Sequence, residues 1–258
     1  MKIYCVVGES RENQNVCFSY NHMYLALKKH ADCYVGGFQE GTTHMLFLDV
    51  IQNVLKMRDE VEFVKKKGVK IVATTFDPAN FADTDTIIAN NLIDKLILFD
   101  EQYKDRFNFN VAISDYFLLQ DLFPPPYVGK QEGVCYFGHL LKVYERHNEY
   151  NLPLIEDFGS YQGLYQKVQK YNGVCVYDTG KGELPNQVIH HNKAKAVEAL
   201  MCGVNAYCQD GIRTKNYDKY LKKFNQIENP VPIDFTQDEI FRANEKVIKD
   251  FLLECQNI

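Results

Sequence analysis

The 258-residue chain has no tryptophan, no CxxC pair and no apolar run near the roughly 20 residues of a bilayer-spanning helix. Its N-terminus, MKIYCVVGESRENQ, carries an apolar stretch too short for the h-region of a signal peptide. A soluble, cytoplasmic protein is therefore expected. A basic excess is missing too: 29 Lys+Arg stand against 34 Asp+Glu, a net charge of −5. That argues against a general nucleic-acid coat, though a local basic groove stays open. The lysine clusters at 65–67 and 219–223 read as solvated faces or helix ends.

Eight cysteines are too dilute for a disulfide scaffold. Cys5, Cys33, Cys135, Cys175 and Cys208 sit in or beside apolar runs, where a reduced thiol serves as a small hydrophobe. Cys202 and Cys208 have the wrong spacing for a zinc knuckle. Neither GxGxxG nor GxxxxGK[ST] occurs, so a dinucleotide dehydrogenase and a P-loop NTPase are poorly supported.

What the chain does have is core material, 46% hydrophobic residues with 13% aromatic, and a regular alternation of short and long apolar patterns. Strands are expected at 2–7, 32–35, 45–50, 69–75, 95–99 and 111–113, with helices at 16–29, 51–67 and 84–92. Strands separated by helices favour parallel pairing with right-handed crossovers. The pattern stops at FPPPYVGK, where three prolines permit neither a helix nor a central strand. It restarts with strands at 133–137, 153–155, 174–177 and 204–208 and helices at 139–150, 161–171 and 189–202.

This break divides the chain into domains at 1–125 and 131–235, followed by a helix in 236–258. The second domain reads as one strand–helix unit short. In the final helix Ile240, Phe241, Val247, Ile248, Phe251 and Leu252 form an apolar stripe, with Asp234 and Thr236 as candidate caps. Return to the first domain and packing on its own domain are both open to it.

Chemistry concentrates in HHNKAKAVEALMCGVNAYC, residues 190–208. A helix here presents one carboxylate, Glu198, among small apolar residues, and Gly203 closes it. The helix start near Asn192 offers free backbone N–H groups and a positive dipole end, with Lys193 close by, which suits a phosphate. His190 and His191 are adjacent, so their imidazoles diverge by about 100° and rarely share one ion; no metal is expected.

KAVEALMCGVNAYC resembles the Glu-Ala-Met-Ala-Cys-Gly-x-Pro-Val-Val segment of GT-B fold glycosyltransferases, matched by Glu198, Ala199, Leu200, Met201, Cys202 and Gly203. GVCYFGHLLKVYER is similar to the first strand and turn of that family's C-terminal domain, and the likeness spans about residues 128–210. The resemblance implies an α/β fold of two Rossmann-like domains, with a nucleotide-diphosphate sugar bound chiefly by the second. It implies that Glu198 accepts hydrogen bonds from the ribose, that His139, Lys142 and Arg146 after Gly138 clamp the diphosphate and that the helix start at Asn192 and Lys193 faces it; His190 reads as a structural or sugar-contacting residue. It further implies no cofactor beyond the donor and no metal for the diphosphate. The Glu-x7-Glu pattern of retaining members would place its first Glu at position 190, which is His190, and Asn205 replaces the motif's proline.

Sugar transfer needs the leaving diphosphate stabilised and, for an inverting enzyme, a base near the acceptor. Ligands of doubly wound sheets sit beyond the C-terminal strand ends. Glu9, Asp49 and Asp77 follow such ends, and Asp77, before Pro78, is the favoured base, with Glu9 second; an Asx turn is the plainer reading of Asp77. The acceptor cannot be read. A chain this compact, rich in Tyr, Phe, Lys and Asn, also suits a phage-type enzyme acting on modified DNA bases. A non-catalytic nucleotide-sugar-binding protein of the same fold is the rival from another class, and a sugar-nucleotide epimerase the weaker third.

Overall fold

A computed structural model describes residues 1–7, 18–48, 51–75, 81–137, 151–155, 161–176, 190–209 and 212–258. Two compact units emerge: Met1–Leu119 with Lys246–Ile258, and Gln120–Glu245.

The first unit is built on β1 (Lys2–Val7), β2 (Asp32–Tyr34), β3 (His44–Leu48), β4 (Lys70–Thr75), β5 (Lys95–Leu98) and β6 (Val111–Ile113). They form one sheet in the order β2-β1-β3-β4-β5-β6, and every pairing is parallel. Near-continuous apolar runs such as Ile71–Ala73 and Leu96–Leu98 are what such strands require, because helices cover both faces. The helices are α1 (Phe18–Lys28), α2 (Gln52–Lys56), α3 (Arg58–Lys66) and α4 (Phe81–Ala89). Val54, Val61, Val64 and Ile87 from them pack on Phe47, Ile71 and Leu96 in one core cluster. The single helix expected over 51–67 is two: Met57, at φ −101° and ψ 23°, interrupts it.

The second unit has β7 (Val134–Phe137), β8 (Leu154–Ile155), β9 (Gly173–Val176), β10 (Asn205–Cys208) and β11 (Leu221–Lys223). Their order is β11-β10-β9-β7-β8, again all parallel. α5 (Tyr161–Val168) and α6 (His190–Met201) connect them, and α7 (Gln237–Gln256) ends the chain. The helix expected over 139–150 lies outside the described residues.

β11 corrects one reading. The lysine run at 219–223 is not simply a solvated face, since Leu221–Lys223 pairs with Ala206–Cys208 of β10 as an edge strand. Lys222 reaches both carboxylate oxygens of Asp234, at 2.6 and 2.8 Å, which removes its need for bulk water. With this strand the second sheet has five members, one fewer than the first.

The proline run lies in neither a helix nor a strand and is held from two sides. Gln169 donates its side-chain amide to Pro125 O at 3.0 Å, and Gln237 donates to Pro124 O at 3.0 Å and to Met201 O at 2.6 Å. Asp234, expected as a cap, is occupied by Lys222; Thr236 caps α7 instead, in a reciprocal box. Glu239 N–H donates to Thr236 Oγ1 at 3.3 Å, and Thr236 N–H to Glu239 Oε2 at 2.7 Å. Residues of α7 to Glu245 belong to the second unit and those from Lys246 to the first. Within the first unit Phe251 meets Phe117 edge-on at 5.0 Å, and Lys95, almost fully buried, holds the end of the helix. The seven described cysteines are all free and buried, as expected of small core hydrophobes.

Candidate functional site

Counted from its first strand, the second sheet has the order 2-1-3-4-5. In such sheets the chain runs off in opposite directions from the first and third strands, and the crevice at their C-terminal ends is where ligands bind. Here those strands are β7 and β9. Their ladder covers only Val134–Gly173 and Cys135–Val174. Tyr136 N–H turns away to Pro153 O, 2.8 Å distant on the β8 side.

α6 follows β9 in chain order. Ala196, Val197, Ala199, Leu200 and Met201 are buried along it, and small residues let the helix lie close to the strands. Gly203, at φ +75°, closes it in the left-handed conformation that side-chain-bearing residues resist; its N–H donates to Leu200 O at 2.8 Å.

Two charged side chains leave this helix one turn apart. Lys195 donates to the Tyr136 hydroxyl, and its ammonium lies 4.3 Å from the centre of the Tyr136 ring. Burial pulls the Lys195 pKa down to about 8, against the opposing influence of Glu198 and Cys175. Glu198 is only 9% exposed. Burial raises its carboxyl to about 7, opposed by the Lys195 charge and by the Tyr165 hydroxyl facing it. Tyr165 is stacked on Phe123 at 4.5 Å and 15°, so the phenol is locked in place. Burial also pushes Tyr165 and Cys202 well upward, which leaves both neutral at ordinary pH. A carboxyl and an amine that both titrate near neutrality are a recurrent mark of functional sites.

The sequence-derived residues fare unequally. Glu198 is buried and turned toward charged and phenolic partners. Lys193 is buried, 6% exposed, in the early part of α6. His190 and Asn192 form the first turn of α6 by their backbone; their side chains lie outside the described residues. Glu9, Asp49, Asp77, Gly138, His139, Lys142 and Arg146 also lie outside them. Lys195, Tyr136 and Tyr165 were missed. The available signal was the three-residue spacing of Lys195 and Glu198, with only Ala196 and Val197 between them. The sequence does hold an Asp-x-Asp triplet, Asp83-Thr84-Asp85; it lies in α4, where Asp85 accepts from Arg106 at 2.8 Å. Among the described residues no cluster of His, Cys, Asp and Glu is arranged to hold a metal ion, and no helix is long and apolar enough to cross a membrane.

No family model matches the chain, and no curated protein does. Among solved structures it is similar to a mutant of S. aureus TarM, a GT-B glycosyltransferase, in complex with fondaparinux, alpha-GlcNAc-glycerol and UDP. The TM-score is 0.51 at 11% identity, over 90% of this chain and 58% of that one. This chain thus spans less than two thirds of its neighbour's length. At that identity the likeness concerns the fold: the protein has a glycosyltransferase-like, Rossmann-type α/β fold. The phage type gains no support from it.

Proposed function

We propose that the chain is a glycosyltransferase that takes its sugar from a nucleotide-diphosphate sugar bound by the second unit. The observation that carries this reading is the buried Glu198 beside Lys195, on the helix that follows the third strand of a switch-point sheet. A carboxylate so withdrawn from water accepts hydrogen bonds from a ribose diol at little further desolvation cost. The start of α6 with Lys193, and Lys142 and Arg146 after β7, would offset the charge of the departing diphosphate. Such an arrangement performs the transfer without a divalent ion. Asp77 and Glu9, after β4 and β1, are the proposed bases toward the acceptor, whose identity is open.

Calorimetric titration with UDP, ADP and GDP tests the donor site, UDP first because the TarM complex holds it. Glu198→Ala should weaken the bound nucleotide by about tenfold or more, in line with the loss of charge-assisted hydrogen bonds. Unchanged affinity for every nucleotide would remove the ribose assignment.

His190, standing where retaining members carry Glu, favours a second reading, a nucleotide-sugar-binding protein without catalysis. Donor hydrolysis separates the two: a protein that binds a nucleotide sugar but neither hydrolyses nor transfers it is the binder.

A further inference from the structure

Beyond Cys135 and Val174 the two central strands of the second sheet part. Tyr136 pairs toward β8, while Cys175 and Val176 pair with Tyr207 and Cys208 of β10. Lys195 spans that parting: its ammonium is bonded to Tyr136 of β7 and lies within electrostatic reach of Cys175 of β9. A lysine on a helix ordinarily extends its ammonium into water. This one is folded inward onto a phenol, a weak partner for a full charge.

We infer that Lys195 receives the phosphate adjoining the ribose in this site, giving up the Tyr136 hydroxyl as the ligand enters. The inference rests on the nucleotide reading above and adds a residue to it. Lys195 and Glu198 are three residues apart, about 4.5 Å along the helix axis. That is comparable to the reach from a ribose diol to its 5′-phosphate. The order is also right, since the phosphate end falls toward the N-terminus of α6, where the helix dipole favours negative charge.

Among the described residues the groups facing the pair are Tyr136 from β7, Cys175 from β9, Tyr165 from α5 and Cys202 after α6. Burial raises Cys175 to about 12 and holds Tyr165 and Cys202 well up, so these three stay neutral. Lys195, at about 8, and Glu198, at about 7, are the members that titrate near neutrality. A phosphate engages the ammonium form, so diphosphate affinity falls as pH rises through about 8, and only while Lys195 is present.

The test is calorimetry with three probes: the tightest binder among UDP, ADP and GDP, its parent nucleoside, and inorganic pyrophosphate. Lys195→Met should weaken the diphosphate by about 10- to 100-fold and leave the nucleoside within about twofold. Lys195→Arg should keep most of the affinity and lose the decline near pH 8, because a guanidinium does not deprotonate there. It also serves as the readout if the methionine variant fails to fold. Equal weakening of nucleoside and diphosphate, or a wild-type pH profile in Lys195→Arg, would overturn the inference. Nucleotide binding indifferent to Lys195 removes the inference but keeps the nucleotide reading. Lys195-dependent pyrophosphate binding with no affinity for nucleoside or nucleotide removes the nucleotide reading and the ribose-adjoining role with it, and a wild-type chain that binds none of the probes sinks both.

Discussion

Lys95 Nζ lies 2.6 Å from Glu254 Oε2, a partner 159 residues along the chain, and also donates to Glu254 O at 2.8 Å and Asn257 O at 3.0 Å. The Lys95 side chain is 4% exposed, that of Glu254 41%. Lys95→Met should lower unfolding free energy by about 1–3 kcal/mol, because two carbonyls and a carboxylate lose their donor. Glu254→Gln should cost less, since the half-exposed carboxylate is screened and the carbonyl contacts survive. Urea unfolding of both variants checks the order, and an equal or larger loss for Glu254→Gln contradicts it.

Glu198 binds its proton more tightly when folded, with its pKa raised from 4.5 to about 7. A raised folded-state value contributes stability that is fully present below about pH 4.5 and lost as pH climbs to about 7. Glu198→Gln should flatten that decline, gaining on the order of 1–3 kcal/mol relative to wild type between pH 4.5 and pH 7. Lys195, lowered from 10.5 to about 8, has the opposite slope above pH 8 and is unaffected in sign by the change. Denaturant midpoints from pH 4.5 to pH 10.5 read both effects; parallel curves for variant and wild type between pH 4.5 and pH 7 would refute the Glu198 assignment.

A third expectation concerns Gly173, the first residue of β9. A Cβ there would collide with the Tyr207 ring and sit 2.8 Å from Asn205 O. Tyr207 cannot swing aside easily, since its hydroxyl donates to Asn172 Oδ1 at 2.7 Å and accepts from Val231 N–H at 3.1 Å. Gly173→Ala should therefore destabilise the second unit by about 2–4 kcal/mol through overpacking and strain. Thermal unfolding measures it.

Thr236→Ala breaks the capping box of α7 and should cost about 1 kcal/mol, with Thr236→Ser close to neutral. A wild-type transition in the alanine variant would show that the cap contributes nothing.

Much of this fold is legible in the sequence because the deciding interactions are local. VKIVATT announces β4, and the stripe from Ile240 to Leu252 announces α7. β11 is different: Leu221-Lys222-Lys223 looks charged and solvated until Asp234, twelve residues on, neutralises Lys222. Glu198 stands out as a lone carboxylate on an apolar helix. Lys195 shows only its three-residue spacing from Glu198; its contact with Tyr136 depends on strand order, a tertiary property that no window of sequence contains. The break at Met57 likewise leaves no trace in the apolar spacing of Ile51, Val54, Val61 and Val64.

Because the first unit draws on both Met1–Leu119 and Lys246–Ile258, its opening stretch must wait on the ribosome. The whole of the second unit, contiguous from Gln120 to Glu245, has been synthesised before Glu254 arrives to meet Lys95. Closure of the first unit is thus deferred: the segment made first stays a partner short until the residues around Glu254 have followed it.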